Sequence, residues 1–79
     1  MSYHLIVCGT KYSILSNTLF NLVSTLKTDN VSVEFVDIEE NIDIVYKYTI
    51  RNSPILLVFK DGVLWKNMQL PINKENILA

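Results

Sequence analysis

Cysteine occurs once in these 79 residues, at Cys8, so no intramolecular disulfide and no multi-thiolate metal site can form. Histidine is equally scarce, with His4 alone, and alanine and arginine appear only at Ala79 and Arg51. Two glycines and two prolines are too few for a flexible linker or a low-complexity tract. Neither sign of charge prevails: seven basic and eight acidic residues leave a formal net charge of -1. The chain therefore lacks the electrostatic footprint for phosphate backbones or anionic lipid, and neither nucleic acid nor membrane is expected as a partner. No stretch approaches the roughly 20 apolar residues that span a bilayer, and Met1-Ser2-Tyr3-His4 has no basic segment leading into an apolar run. The expected location is cytoplasmic, and the absence of a ligand cluster predicts no metal and no cofactor.

What is present is a core. Hydrophobic residues make up 49% of the chain and charged residues 19%, a balance that favours a compact globule over disorder. The length suits a single small domain over residues 1–79, near the lower limit for folding without staples.

Leu5-Ile6-Val7-Cys8, ending at Gly9-Thr10, reads as a strand buried on both faces. Leu15, Leu19, Leu22, Val23 and Leu26 then recur at helical offsets, predicting one apolar helix face, with Ser13 standing where an N-cap would be. Val31 to Ile38 is a second β-rich run, with Val33, Phe35 and Asp37 on one side. A helix between two strands implies a parallel crossover. After the polar Glu39-Glu40-Asn41, residues Ile42 to Tyr48 form a short helix candidate carrying Ile44, Val45 and Tyr48. Ile55 to Phe59 and Val63 to Trp65 are β runs joined by Lys60-Asp61-Gly62, a strong hairpin signal. From Pro71 a final short helix is expected, with Ile72, Ile77 and Leu78 as packing residues. The order is β-α-β-α-β-β-α, an α/β arrangement with a four-stranded mixed sheet.

The segment from Val36-Asp37-Ile38-Glu39-Glu40-Asn41 through Tyr48-Thr49-Ile50-Arg51-Asn52-Ser53-Pro54 to Ile55-Leu56-Leu57-Val58-Phe59-Lys60-Asp61-Gly62 resembles the second half of thioredoxins, without a gap, over more than a third of the chain. The resemblance to the thioredoxin and glutaredoxin family implies the thioredoxin fold, with strand order 2-1-3-4. It implies that Pro54 follows a cis peptide bond and faces the redox motif. Aligning the helix face places Ser13-Ile14-Leu15-Ser16 where the family carries Cys-x-x-Cys. Tyr12 then stands at the family's tryptophan, and Val7 where many thioredoxins bury an aspartate that glutaredoxins lack. The lack of a further N-terminal strand and helix is also closer to glutaredoxin.

Disulfide exchange needs a thiolate attacker, and a helix N-terminus helps by lowering a cysteine pKa. A serine hydroxyl stays protonated near neutral pH without a dedicated base and forms no mixed disulfide. With His4 at the far end of the first strand, no Ser/His/Asp constellation is evident. Cys8 lies five residues before Ser13, but inside an apolar strand it behaves as a small hydrophobe with a raised pKa. Ser13 has an ordinary use as a helix cap, and Tyr12, Trp65 and Met68 an ordinary use in packing.

Two readings follow. In the first, the chain is a thiol-disulfide oxidoreductase family member, inert as written, with Ser13 and Ser16 at the attacking and resolving positions. A natural loss of the thiols and a Cys-to-Ser change in an active enzyme both fit the two serines. The resemblance then implies as partner a protein disulfide, a reductase or glutathione, held against Lys11, Tyr12, Asn52, Ser53 and Pro54. In the second, the same groove serves a non-catalytic adaptor.

Overall fold

The computed structural model describes residues 1–79. Its elements, in chain order, are β1 (Tyr3–Gly9), α1 (Ile14–Ser24), β2 (Val31–Asp37), α2 (Ile42–Lys47), β3 (Ile55–Lys60), β4 (Val63–Gln69) and a single 3-10 turn over Lys74–Asn76. The four strands form one sheet ordered β2-β1-β3-β4. β1 runs parallel to β2 and antiparallel to β3, and β3 pairs antiparallel with β4.

The two central strands carry nearly continuous apolar runs because both of their faces are covered. Alternate residues supply two separate cores. Leu5 and Val7 of β1, with Leu56 and Val58 of β3, pack against Leu19 and Val23 of α1 and against Ile77. Ile6 and Cys8, with Ile55 and Leu57, pack on the opposite face with Ile50, supported by Ile44, Val45 and Tyr48 around α2. Aromatic pairs close each side: Phe20 meets Phe35 edge to face at 5.6 Å, and Tyr48 meets Phe59 at 5.8 Å.

The β3–β4 hairpin turns on Asp61-Gly62, with positive φ at both residues (50° and 82°), the backbone that matches the twist of the flanking strands. A Cβ at Gly62 would meet nothing within 4 Å, so glycine is favoured there by its φ rather than by space.

Three local expectations need correction. Leu15 is 59% exposed. The buried stripe of α1 is instead Ser16, Leu19 and Val23, at i, i+3 and i+7, and Leu15 falls on the exposed flank of that face. β4 does not stop at Trp65 but continues to Gln69, because an edge strand tolerates the polar Lys66, Asn67 and Gln69. The tail forms no α-helix. Its 3-10 turn has no side-chain cap on Asn73, and the segment is held by the buried Ile77 and by Lys66. The Lys66 ammonium donates to the carbonyls of Asn76 (2.8 Å), Ile77 (3.3 Å) and Ala79 (2.6 Å).

Candidate functional site at the β1–α1 junction

The register places Gly9 of β1 and Ile55 of β3 at the same end of the sheet. Two connections therefore meet there: the loop from β1 to α1, and the segment preceding β3. Ser13 has an extended backbone (φ -86°, ψ 126°) and caps α1, its Oγ accepting from Ser16 N at 3.2 Å. This satisfies one of the four N–H groups that the first helical turn leaves open. Its own N–H donates to the Thr10 carbonyl at 3.1 Å. Asn17 ties the loop to the helix, with Nδ2 donating to the carbonyls of Lys11 and Ser13, each at 3.0 Å.

Ser16, one turn on, faces inward and is fully buried. Its Oγ accepts from Thr10 N at 3.2 Å, so its hydroxyl is not stranded in the core. Gly9 shows how close the parts stand. A Cβ on Gly9 would lie 2.7 Å from Ser16 Cβ and 3.3 Å from the Pro54 ring, so Gly9, Ser16 and Pro54 converge on one point. The Ser53–Pro54 peptide is cis, as is Leu70–Pro71. Pro54 is buried, and Asn52 and Ser53 before it are exposed. Asn52 Nδ2 reaches Gln69 Oε1 of β4 at 3.4 Å.

Lys11 and Tyr12 lie on the exposed outer part of the loop, with the Lys11 ammonium 5.7 Å from the centre of the Tyr12 ring. The Lys11 ammonium binds Glu40 Oε1 at 2.6 Å, which directs it to the β2 side of β1, away from Pro54. That carboxylate raises the Lys11 pKa. The Lys11 N–H donates to Asp37 Oδ2 (3.2 Å), while Glu39 N–H donates to Asp37 Oδ1 (2.9 Å). The Glu39 N–H is the main cause holding the Asp37 carboxyl below its usual range, and burial opposes it. Asp37 thus fixes the β1–α1 loop to the end of β2. Tyr12 is 86% exposed, and Ile14 beside it 82%, an apolar pair in solvent next to Ser13.

Cys8 is close in sequence but closed to chemistry. It is fully buried in β1, and burial, with the Glu34 charge second, pushes its thiol up to about 11. Trp65 belongs to the far end of the sheet, where it stacks near Tyr3 (5.9 Å) and lines a shallow cavity of about 210 Å³ with Lys60, Val63 and Leu64. Met68 packs against the first core. No group of three His, Cys, Asp or Glu side chains stands together as a metal ligand set, and no helix is long and apolar enough to cross a membrane.

Sequence reasoning missed one cluster altogether. His4, which seemed isolated, stands opposite Ser32, and its ring contacts both Ser32 and Glu34. The missing signal was the parallel register, which puts His4 and Ile6 level with Ser32 and Glu34.

No protein-family model matches the sequence, and no curated protein matches it. Solved structures do match in shape. A mutant thioredoxin from Halobacterium salinarum NRC-1 superposes with a TM-score of 0.81 at 21% identity, covering 94% of this chain. The chain spans 66% of that thioredoxin's length. A malarial protein gives a TM-score of 0.82 at 10% identity, covering 99% of this chain and 91% of its own. A designed protein gives 0.77 at 22% identity, covering 89% and 65%. With the strand order and connections described above, these likenesses establish a thioredoxin-like fold.

Proposed function

We propose that this protein is a small member of the thiol-disulfide oxidoreductase class whose two redox positions, Ser13 and Ser16, carry serine, so that it is inert in exchange as written. The observation that carries the reading is the convergence of Gly9, Ser16 and Pro54 at the start of α1. It brings the helix N-terminus and the proline loop into one site.

Ser13, at the cap, is the partly exposed member of the pair and takes the attacking position. Ser16, fully buried one turn on, takes the resolving one. A thiolate at position 13 would gain from the helix N-terminus, since unpaired N–H groups and the dipole favour negative charge there. A hydroxyl gains nothing comparable, and both hydroxyls already serve as structural acceptors. An extended segment of a disulfide-bearing protein, of a reductase or of glutathione would lie across Tyr12 and against Asn52, Ser53 and Pro54. Lys11, bound to Glu40, would act at the rim. Location in the cytoplasm and a single domain over residues 1–79 belong to the same proposal.

A second reading, the non-catalytic adaptor, is favoured by the exposed Tyr12 and Ile14 beside a site whose two hydroxyls each accept a backbone hydrogen bond. Insulin reduction by the double variant Ser13→Cys/Ser16→Cys separates the two. Turnover supports the oxidoreductase scaffold, and its absence in a folded, oxidisable variant supports the adaptor.

A further inference from the structure

β1 and β2 together build a hydrogen-bonded chain of three side chains on the α2 side of the sheet, outside the site described above. Ser32 Oγ lies 2.5 Å from His4 Nδ1, and His4 Nε2 lies 2.9 Å from Glu34 Oε1. An ionised carboxylate can only accept, so Glu34 fixes the proton on Nε2 and leaves Nδ1 as the bare nitrogen. The Ser32 hydroxyl then donates to Nδ1. Its other acceptor within reach, the Tyr3 carbonyl, is much longer at 3.4 Å. Nucleophile, base and orienting carboxylate are thus in sequence.

The open edge of β2 leaves a backbone donor beside Ser32 in the chain. Tyr3 N–H donates to the Asn30 carbonyl (2.8 Å) and Ile38 N–H to the Gly9 carbonyl (2.9 Å), so even-numbered β2 residues bond inward to β1. Odd-numbered N–H groups face the open edge, where Val31 N–H meets the Thr28 carbonyl at 3.2 Å. Val33 N–H faces that same edge and belongs to the residue after Ser32, which makes it the backbone donor next in sequence to the hydroxyl.

We propose that Ser32 is an activated nucleophile for small carboxylic esters with good leaving groups. In acylation, Ser32 Oγ attacks the ester carbonyl and its proton passes to His4 Nδ1. The ester C–O bond breaks, and His4 returns the proton to the departing alkoxide. In deacylation, water attacks acyl-Ser32 with His4 again taking the proton, which releases the carboxylic acid and restores the serine. Ser32 and Glu34 are exposed, so the site is open and selects by leaving group rather than by acyl shape. Glu34 is a positioning residue.

The test is hydrolysis of 4-nitrophenyl acetate by the full chain at neutral pH, with peptide mapping of the acylated protein. The expected result is an acetyl group on Ser32 and a release rate that falls by about tenfold or more in Ser32→Ala and in His4→Gln. Both variants should keep the far-UV circular dichroism of the parent. For Glu34→Leu, which removes the acceptor facing Nε2, nitrogen NMR of His4 should show a weakened Nε2–H preference that Glu34→Gln, with its amide oxygen, retains, a contrast that mere packing would not produce. In Ser32→Cys, alkylation by iodoacetamide should be faster than in Ser32→Cys/His4→Gln. The proposal is overturned by acetyl groups only on His4, lysines or the N-terminus, by an unchanged rate in Ser32→Ala, or by equal alkylation rates. None of these outcomes bears on positions 13 and 16, so failure here leaves the oxidoreductase reading intact.

Discussion

At the scale of single residues, the two that flank the site most closely are Cys8 and Gly9, and both are set by crowding. The Cys8 thiol, pushed up to about 11 against an ordinary 9.0, is held neutral by the core. Ellman's reagent should therefore leave it unmodified in the native protein at neutral pH and titrate it fully in denaturant. The linkage follows from the sign of the shift. The unfolded chain gives up this proton first, so the thiol's contribution to stability is intact below about pH 9 and declines as pH rises toward 11. The difference between denaturation curves of the parent and Cys8→Ala should carry that alkaline slope. Gly9 has room for no side chain: Gly9→Ala would drive a methyl into Ser16 and toward Pro54. Overpacking of this kind costs about 1–3 kcal/mol, and urea denaturation should show it. The cost should shrink in a Ser16→Gly background, because the neighbour that is struck has gone.

At the scale of elements, α1 begins where it does because Ser13 caps it, accepting from Ser16 N–H. Ser13→Ala should lower stability by about 1 kcal/mol, read by thermal melting, with no change in the fold. The tail has a different support. Lys66→Met removes the donor that gathers the carbonyls of Asn76, Ile77 and Ala79, so amide exchange at the C-terminus should speed up while β1 and β3 stay protected.

The contrast between these elements explains what the sequence could reveal. The hairpin was legible because Asp61-Gly62 has few other uses between two apolar runs. The far half of β4 was not, since an edge strand needs no hydrophobic residues to mark it. The apolar offsets identified α1 but included Leu15, because periodicity does not say which flank of an apolar face meets the sheet. A closing helix after Pro71 was expected from the proline and from Ile72, Ile77 and Leu78 as packing residues, and of these Ile77 is the one fully buried. Tertiary anchors, Ile77 and Lys66, decided the matter instead.

At the scale of the whole molecule, the parallel crossover and the antiparallel hairpin were legible as local facts, while the order β2-β1-β3-β4 that joins them in one sheet was implied only by the family resemblance. Leu19 and Val23 on the buried face of α1 and the proline before β3 were each visible in the sequence. Their meeting at Gly9 was not, since it depends on how far β1 and β3 overlap. The same limit hid the His4 cluster, which exists only in the parallel register of β1 with β2. Lys11 shows the converse: proximity in sequence put it at the site, and the charge of Glu40 draws it toward β2.

The central claim is that Ser13 and Ser16 occupy the two positions of a disulfide-exchanging pair in a scaffold otherwise intact. Oxidation of Ser13→Cys/Ser16→Cys, followed by non-reducing peptide mapping and titration against a dithiol redox buffer, tests it most directly. The expected result is one intramolecular disulfide between positions 13 and 16, reversibly reduced, with the thiol at 13 alkylated first and Cys8 untouched. A folded variant in which 13 and 16 remain separate thiols, or in which Cys8 pairs with either, would contradict the assignment.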